Sequence, residues 1–250
     1  MRRILTGNEA IARGAYEYGI EVAAGYPGTP SSEILENTVF YKDHLYCQWS
    51  PNEKVAFEVA LGAAFSGRRS MVTMKHVGLN VAADPFFTSA YSGIEGGFIV
   101  ISADDPGMHS SQNEQDNRNY ARFAKIPMLE PSDSQEAKDF IGEAIKISEE
   151  FDTPVMLRLT TRISHSKSIV TINDTRPENK RDFPPRQSQK YVMIPGHAKR
   201  RRILMKESFE KLQKYSEDSG LNFEEIKDKE LGFITNGICY YYIKEVFPES

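Results

Sequence analysis

The sequence predicts an α/β fold: a mostly parallel sheet covered by helices on both faces, followed by a linker and an incomplete second α/β unit. Three observations predict it. Between residues 1 and about 165, helical and strand-like hydrophobic periods alternate with short turns, the pattern of parallel strands joined by crossover helices. The run 97–103 is apolar almost throughout, as in a strand buried on both sides. A chain of 250 residues with 40% hydrophobic content can bury one substantial core.

Residues 8–18 read as a helix with Ile11, Ala12 and Ala15 inward, and 21–24 as a short strand ending at Gly25. Tyr26-Pro27-Gly28-Thr29-Pro30-Ser31-Ser32 is a rigid turn. Its two prolines fix backbone angles, Gly28 permits an unusual one, and Ser32 is placed to cap a helix over 33–37. Residues 45–49 read as the next strand and lead at once into a helix that opens at Glu53. Residues 70–75 form a strand, 77–92 a helix interrupted or restarted near Pro85, and 97–103 the buried strand. Residues 104–117 make a polar loop with a strong turn at Asp105-Pro106-Gly107. A Ser or Asp cap within 131–136 precedes a periodic helix at 137–149, and 155–160 supplies the last strand of the set.

Beyond Arg162 the character changes. Residues 166–190 are rich in Ser, Thr, Asn, Pro and charge, which reads as a linker or a surface-wrapping segment. The basic run His197-Ala198-Lys199-Arg200-Arg201-Arg202 precedes an amphipathic helix at 203–219. Phosphate or nucleic-acid binding is one reading of that run. A solvated face or an interdomain contact fits the formal net charge of −4 better. Residues 231–238 read as a strand with a Gly turn and 240–247 as a helix after it, so 231–250 is expected to begin a second, truncated domain after a linker over 166–230.

Several function classes have no support. The net charge speaks against a nucleic-acid partner. No apolar run approaches the ~20 residues that span a bilayer, and the N-terminus lacks a signal pattern, so no membrane association and a cytoplasmic location are expected. Cys47 and Cys239 are the only cysteines and belong to no Cys-x-x-Cys or His/Cys cluster, so no metal site is expected in this chain.

The segment 53–67 is the most informative. Ala56, Ala60 and Ala63/Ala64 recur at helical spacing and present a face that another backbone can approach closely. Glu53 sits in the first turn, where a carboxylate feels the helix N-terminus and is held by a rigid element. A capping or dipole-complementing role is the plainer reading of such a glutamate, and catalysis the sharper one. The strand-to-helix loop placing it lies where open α/β sheets bind ligands.

Four segments then agree in order and spacing: 25–32, the Glu53 helix, Met74-Lys75-His76-Val77-Gly78-Leu79-Asn80, and 102–118 with its long polar run. Together they resemble the N-terminal pyrimidine-binding domain of the 2-oxoacid:ferredoxin oxidoreductases within the thiamine diphosphate superfamily, most of all the alpha subunits of the indolepyruvate ferredoxin oxidoreductase branch. The resemblance covers about residues 4–165, making 1–165 a pyrimidine-binding α/β domain. It implies oxidative decarboxylation of an aryl pyruvate on thiamine diphosphate, acyl transfer to coenzyme A, and electrons leaving to ferredoxin. Glu53 would share a proton with the pyrimidine ring nitrogen. Tyr26, Pro27, Gly28, Lys75, His76 and Val77 would bind the cofactor, and Thr29, His109, Gln112, Asn113 and Arg118 the substrate or coenzyme A. For Thr29 a turn hydroxyl bonding its own backbone is an equal alternative, and Lys75 and His76 also read as ordinary polar loop residues.

Members of that family also carry a Gly-Asp-Gly motif that binds the diphosphate through magnesium, and cysteine-rich segments for 4Fe-4S clusters. This sequence has neither, so both are expected in a diphosphate-binding domain or subunit, or in a beta subunit, of an oligomeric complex, and the chain alone is expected to be inactive. The alternatives are a pyrimidine-domain subunit of a split 2-oxoacid decarboxylase and a non-catalytic interaction fragment.

Overall fold

The computed structural model describes residues 1–179, 182–227 and 230–248. The chain runs β1 (Arg2–Thr6), α1 (Gly7–Glu17), β2 (Val22–Gly25), α2 (Ser32–Thr38), β3 (Tyr46–Trp49), α3 (Glu53–Phe65), β4 (Ser70–Lys75), α4 (His76–Val81), α5 (Ala83–Ser92), β5 (Phe98–Asp104), α6 (Arg118–Ala124), β6 (Met128–Leu129), α7 (Ser134–Phe151), β7 (Val155–Thr160), α8 (Thr161–His165), β8 (Lys167–Thr171), α9 (Ser188–Tyr191), α10 (Pro195–Asp218) and α11 (Cys239–Val246). Six strands form one parallel sheet in the order β3-β2-β4-β5-β7-β6. From β2 the chain steps outward to β3, then crosses back to β4 on the other side, so the order reverses between β2 and β4. Loops leaving the carboxyl ends of those two strands diverge and open a crevice.

Strand alternation distributes side chains to two cores, one on each face of the sheet. Ile99, Ile101 and Ala103 of β5 join Val155, Leu157 and Leu159 of β7 beneath α1 and α7. Phe98 and Val100 point the other way, with Val72, Met74 and Met156, against Phe57 of α3 and Phe86 of α5. The alanine face of α3 is explained here. Ala56, Ala60 and Ala64 are fully buried within the second core, and the Ser70 hydroxyl donates to the Ala60 carbonyl at 2.7 Å, so the small side chains let the helix lie close on its own sheet. That face needs no second protein to cover it.

Several local expectations are corrected. The N-terminal residues form β1, which pairs antiparallel with β8, from Arg2↔Thr171 to Thr6↔Lys167, so the start of the expected linker is part of the folded unit. The helix after β4 is interrupted near Pro85 as expected: it breaks at Ala82 and restarts at Ala83, with Pro85 in the first turn of α5, where a missing N–H costs little. Ser32 does not cap α2; its hydroxyl accepts from the Gly28 N–H at 2.8 Å. Gly28 has no left-handed φ, and its small size instead makes room for the Lys75 stem, which a Cβ there would meet at 2.9 Å. The basic run 197–202 lies inside α10, and Arg201 is spent on the Tyr91 carbonyl and Asp152. Among the described residues 231–238 form no strand, since no neighbouring strand offers them a ladder, whereas the helix after them is present as α11. The linker and tail expected over 166–230 and 231–250 also include 180–181, 228–229 and 249–250, which lie outside the described residues.

Residues 172–179 wrap the surface. The Arg176 guanidinium donates to the carbonyls of Tyr16 (2.7 Å), Ile20 (2.8 Å) and His44 (3.0 Å), tying the segment across the end of α1. Among the described residues no helix is long and apolar enough to cross a membrane.

Candidate active site

All the residues nominated from sequence lie at the carboxyl end of the sheet. Tyr26, Pro27, Gly28 and Thr29 follow β2, Glu53 opens α3 just beyond β3, Lys75 ends β4, and His76 and Val77 open α4. His109, Gln112 and Asn113 sit in the loop after β5, and Arg118 opens α6. The parallel register brings these ends together because every strand points the same way.

Glu53 is at the centre. Asn52 is the N-cap of α3 and its side chain accepts from the Val55 N–H at 3.0 Å, so the capping role is filled by Asn52, while Glu53 sits in the first turn beside the helix N-terminus. Glu53 is only 9% exposed, yet among the described residues its carboxylate has no hydrogen-bond or ion-pair partner. The neighbouring Lys54 turns away to Asp84 at 3.0 Å. The Glu53 side chain rests on Gly78: a Cβ at that position would stand 2.7 Å from both Cγ and Oε1 of Glu53.

His76, two residues before Gly78, is fully buried. Its Nε2 faces two acceptors of Asn113, the carbonyl at 3.2 Å and Oδ1 at 3.0 Å, so Nε2 carries a proton and donates. Its Nδ1 is buried without a partner. Lys75 packs its stem on Gly28 and donates to the Ser110 carbonyl at 3.3 Å, bridging the loops after β2 and β5.

The loop after β5 is anchored at both ends by buried carboxylates. Burial would raise the Asp105 carboxyl, but the N–H groups of Ser110 (2.8 Å) and His109 (3.2 Å) and the Thr161 hydroxyl (2.7 Å) hold it well below the usual carboxylate range. Burial pushes Asp104 upward, only partly offset by the Arg158 guanidinium at 2.7 Å and the Asn117 N–H at 3.0 Å. Arg158 also pairs with Glu130.

The structure therefore seats Glu53 on Gly78, pairs His76 with Asn113, and packs the Lys75 stem on Gly28. It does not give a polar partner to the exposed Gln112, and it leaves Tyr26, Pro27 and Thr29 exposed on the loop rim, with Val77 half-buried. Arg118 pairs with Asp116 at 2.7 Å, and among the described residues His109 is tied in through its backbone alone. Sequence reasoning missed Gly78, Asn52, Gln115, Asn117 and Arg158. Two of these had a signal: Asn before the helix-opening Glu53 is an N-cap pattern, and Arg158 is a charge inside an apolar strand.

Residues 13–226 match the family model described as pyruvate flavodoxin/ferredoxin oxidoreductase, thiamine diphosphate-binding. The chain belongs to this family. Among curated members it is 48% identical over 248 residues to the indolepyruvate oxidoreductase subunit IorA of Archaeoglobus fulgidus, covering 96% of this chain and 40% of that protein. It is 48% identical over 252 residues to the same subunit from Thermococcus kodakarensis, covering 98% and 39%. A more distant relative, the 2-oxoglutarate synthase subunit KorA of Methanothermobacter thermautotrophicus, is 29% identical over 191 residues, covering 72% and 50%. The chain thus spans about 40% of the length of the indolepyruvate oxidoreductase subunits it matches. The fold is shared with a solved 2-oxoglutarate:ferredoxin oxidoreductase from Magnetococcus marinus, with 2-oxoglutarate, coenzyme A and succinyl-CoA bound, at a TM-score of 0.71 and 14% identity, over 99% of this chain and 51% of that one.

Proposed function

We propose that this member of the thiamine diphosphate-binding family supplies the pyrimidine side of the cofactor site in a 2-oxoacid:ferredoxin oxidoreductase acting on aryl pyruvates of the indolepyruvate type. The observation that carries the reading is Glu53: nearly buried, partnerless, relieved of capping by Asn52, and seated against a glycine that leaves room at the switch point of the sheet. The similarity to indolepyruvate oxidoreductase subunits supports the substrate class.

The residues present fit the aminopyrimidine half of the cofactor. Glu53 is a proton-sharing acceptor for a ring nitrogen, and the unpartnered Nδ1 of His76 is a second acceptor for an N–H or O–H donor. When bound, thiamine diphosphate supplies a thiazolium carbon that attacks the oxo group and takes up the electrons of decarboxylation. Glu53 holds the proton whose position on the pyrimidine tunes that carbon, at a site where low exposure strengthens the hydrogen bond. Lys75 places a positive charge between the loops after β2 and β5, where it orients a 2-oxoacid carboxylate alongside the Thr29 hydroxyl on the rim. His109, Gln112, Asn113 and Arg118 lie on the loop side facing coenzyme A or the aryl group.

Among the described residues no group of three His, Cys, Asp or Glu side chains is arranged to hold a metal. Magnesium for the diphosphate and 4Fe-4S clusters for electron transfer to ferredoxin are assigned to a diphosphate-binding module and a beta subunit. In the same reading the pyrimidine-binding unit extends past 165 to take in β8, which pairs with β1.

The test uses the complete complex, comparing wild type with Glu53→Gln in ferredoxin reduction from indolepyruvate, phenylpyruvate, pyruvate and 2-oxoglutarate with coenzyme A. The expected outcome is a preference for the aryl substrates and a loss of about 10²–10⁴-fold in the variant, with unchanged circular dichroism. Normal turnover by the variant removes Glu53 from the mechanism. Aldehyde release without ferredoxin reduction overturns the oxidoreductase assignment in favour of a split decarboxylase.

A further inference from the structure

The loop after β5 has little apolar anchoring, and its residues 106–110 are exposed. Besides the Asp104 and Asp105 anchors, a set of side-chain amides ties its second half to α4. The Gln115 Nε2 donates to the His76 carbonyl (3.2 Å), to Asn80 Oδ1 (2.9 Å) and to Asn117 Oδ1 (2.7 Å). Asn80 returns a bond to Gln115 Oε1 at 2.9 Å and is itself fixed by the Tyr120 hydroxyl at 2.6 Å. Asn117 is fully buried; its Nδ2 donates to the same His76 carbonyl (3.1 Å) and to the Ser102 hydroxyl (2.7 Å), while its N–H meets Asp104. The His76 ring completes the circuit by bonding Asn113 of the loop. Two amides of the loop thus converge on one carbonyl at the start of α4, two residues before the glycine that seats Glu53.

We propose that Gln115 and Asn117 are positioning residues: they clasp the second half of the loop after β5 to the start of α4 and so hold Gln112 and Asn113 in place for the 2-oxoacid or coenzyme A. This rests on the function proposed above. The clasp acts on the loop and not on Glu53, because α4 continues directly from β4 and is fixed independently by the burial of Leu79 and by the contact of Gly78 with Glu53. Breaking the clasp releases the element with fewer other attachments.

Gln115→Glu is the sharpest probe. It is isosteric at a half-buried position, and it puts a carboxylate oxygen where an N–H₂ now faces three acceptors. In the complete complex loaded with thiamine diphosphate, KM for the 2-oxoacid or coenzyme A is expected to rise about tenfold, the equivalent of losing one or two neutral hydrogen bonds. Backbone amide exchange across the second half of the loop should accelerate, while deuterium exchange at the thiazolium C2 of the bound cofactor stays within about twofold of wild type. Gln115→Met, which removes the donors without adding charge, should show the same split more weakly. A general structural role predicts instead that C2 exchange falls together with the other readouts, and that result overturns the proposal. So does a Gln115→Glu enzyme with wild-type KM and wild-type loop exchange. Failure of the underlying function is seen separately: Glu53→Gln then leaves C2 exchange intact whatever the Gln115 variants do.

Discussion

The two ends of the parallel sheet treat their polar groups differently. At the amino end, charges and hydroxyls are paired: Arg69 grips Glu149 with two bonds at 2.8 and 3.1 Å, Ser148 accepts from the Phe98 N–H at 3.0 Å, and Ser70 reaches the Ala60 carbonyl. At the carboxyl end, Nδ1 of His76 and the hydroxyls of Thr73, Thr160 and Ser164 are buried without partners, as is the Oδ1 of Asn8, which sits under the loop at Pro30. Glu53, 9% exposed, lies at the same end. Groups left unsatisfied cost stability, and their concentration at one end marks the place where the fold trades stability for binding.

That contrast can be broken in graded steps. After Glu53→Gln itself, the largest effect is expected from Gly78→Ala, whose methyl would press on Cγ and Oε1 of Glu53. A displacement on the order of 1 Å there should reduce turnover of the complete complex about 10²-fold, read by steady-state kinetics, with the variant still folded. At the opposite end, Arg69→Ala removes a partly buried bidentate pair. It should lower unfolding free energy in urea titrations by about 2 kcal/mol and leave cofactor affinity unchanged.

Acid sharpens the comparison further. Because the Asp105 carboxyl is depressed in the folded chain, its contribution is fully present above the ordinary carboxylate value of about 3.9 and is lost as pH falls toward the folded value. The stability difference between wild type and Asp105→Asn, about 1–3 kcal/mol at neutral pH, should therefore shrink only below about pH 4 in melting experiments. The smallest effect belongs to Gln112→Ala, an exposed side chain without a polar partner. Its stability should stay within about 0.5 kcal/mol of wild type, while KM for the 2-oxoacid or coenzyme A is the quantity free to change.

How much of this was legible follows from which forces are local. The strands at 70–75 and 155–160 were readable to the residue, because their apolar runs end at Lys75 and Thr160, where the chain turns into helices. β1 and β8 were not, since each is short and exists only by pairing Arg2 with Thr171 across the whole domain. The expected strand at 231–238 had the right composition and no sheet to join, so propensity was overridden by context. At the site, Glu53 and the turn after β2 were legible because strand–loop–helix punctuation locates a sheet's carboxyl end. Gln115 and Asn117 were not, because their roles arise from bonds to His76, 39 and 41 residues away in sequence. Gly78 stood inside a recognised segment, but only coordinates reveal that its missing Cβ is what seats the glutamate.

The central claim is that Glu53 governs the acidity of a cofactor carbon held against this end of the sheet. Proton–deuterium exchange at the thiazolium C2 of thiamine diphosphate, followed by acid quench and NMR in the complete complex, reads that acidity before any substrate binds. Exchange slowed by about 10²-fold or more in Glu53→Gln, at full cofactor occupancy, is the predicted result. Equal exchange rates in the two proteins would contradict the account.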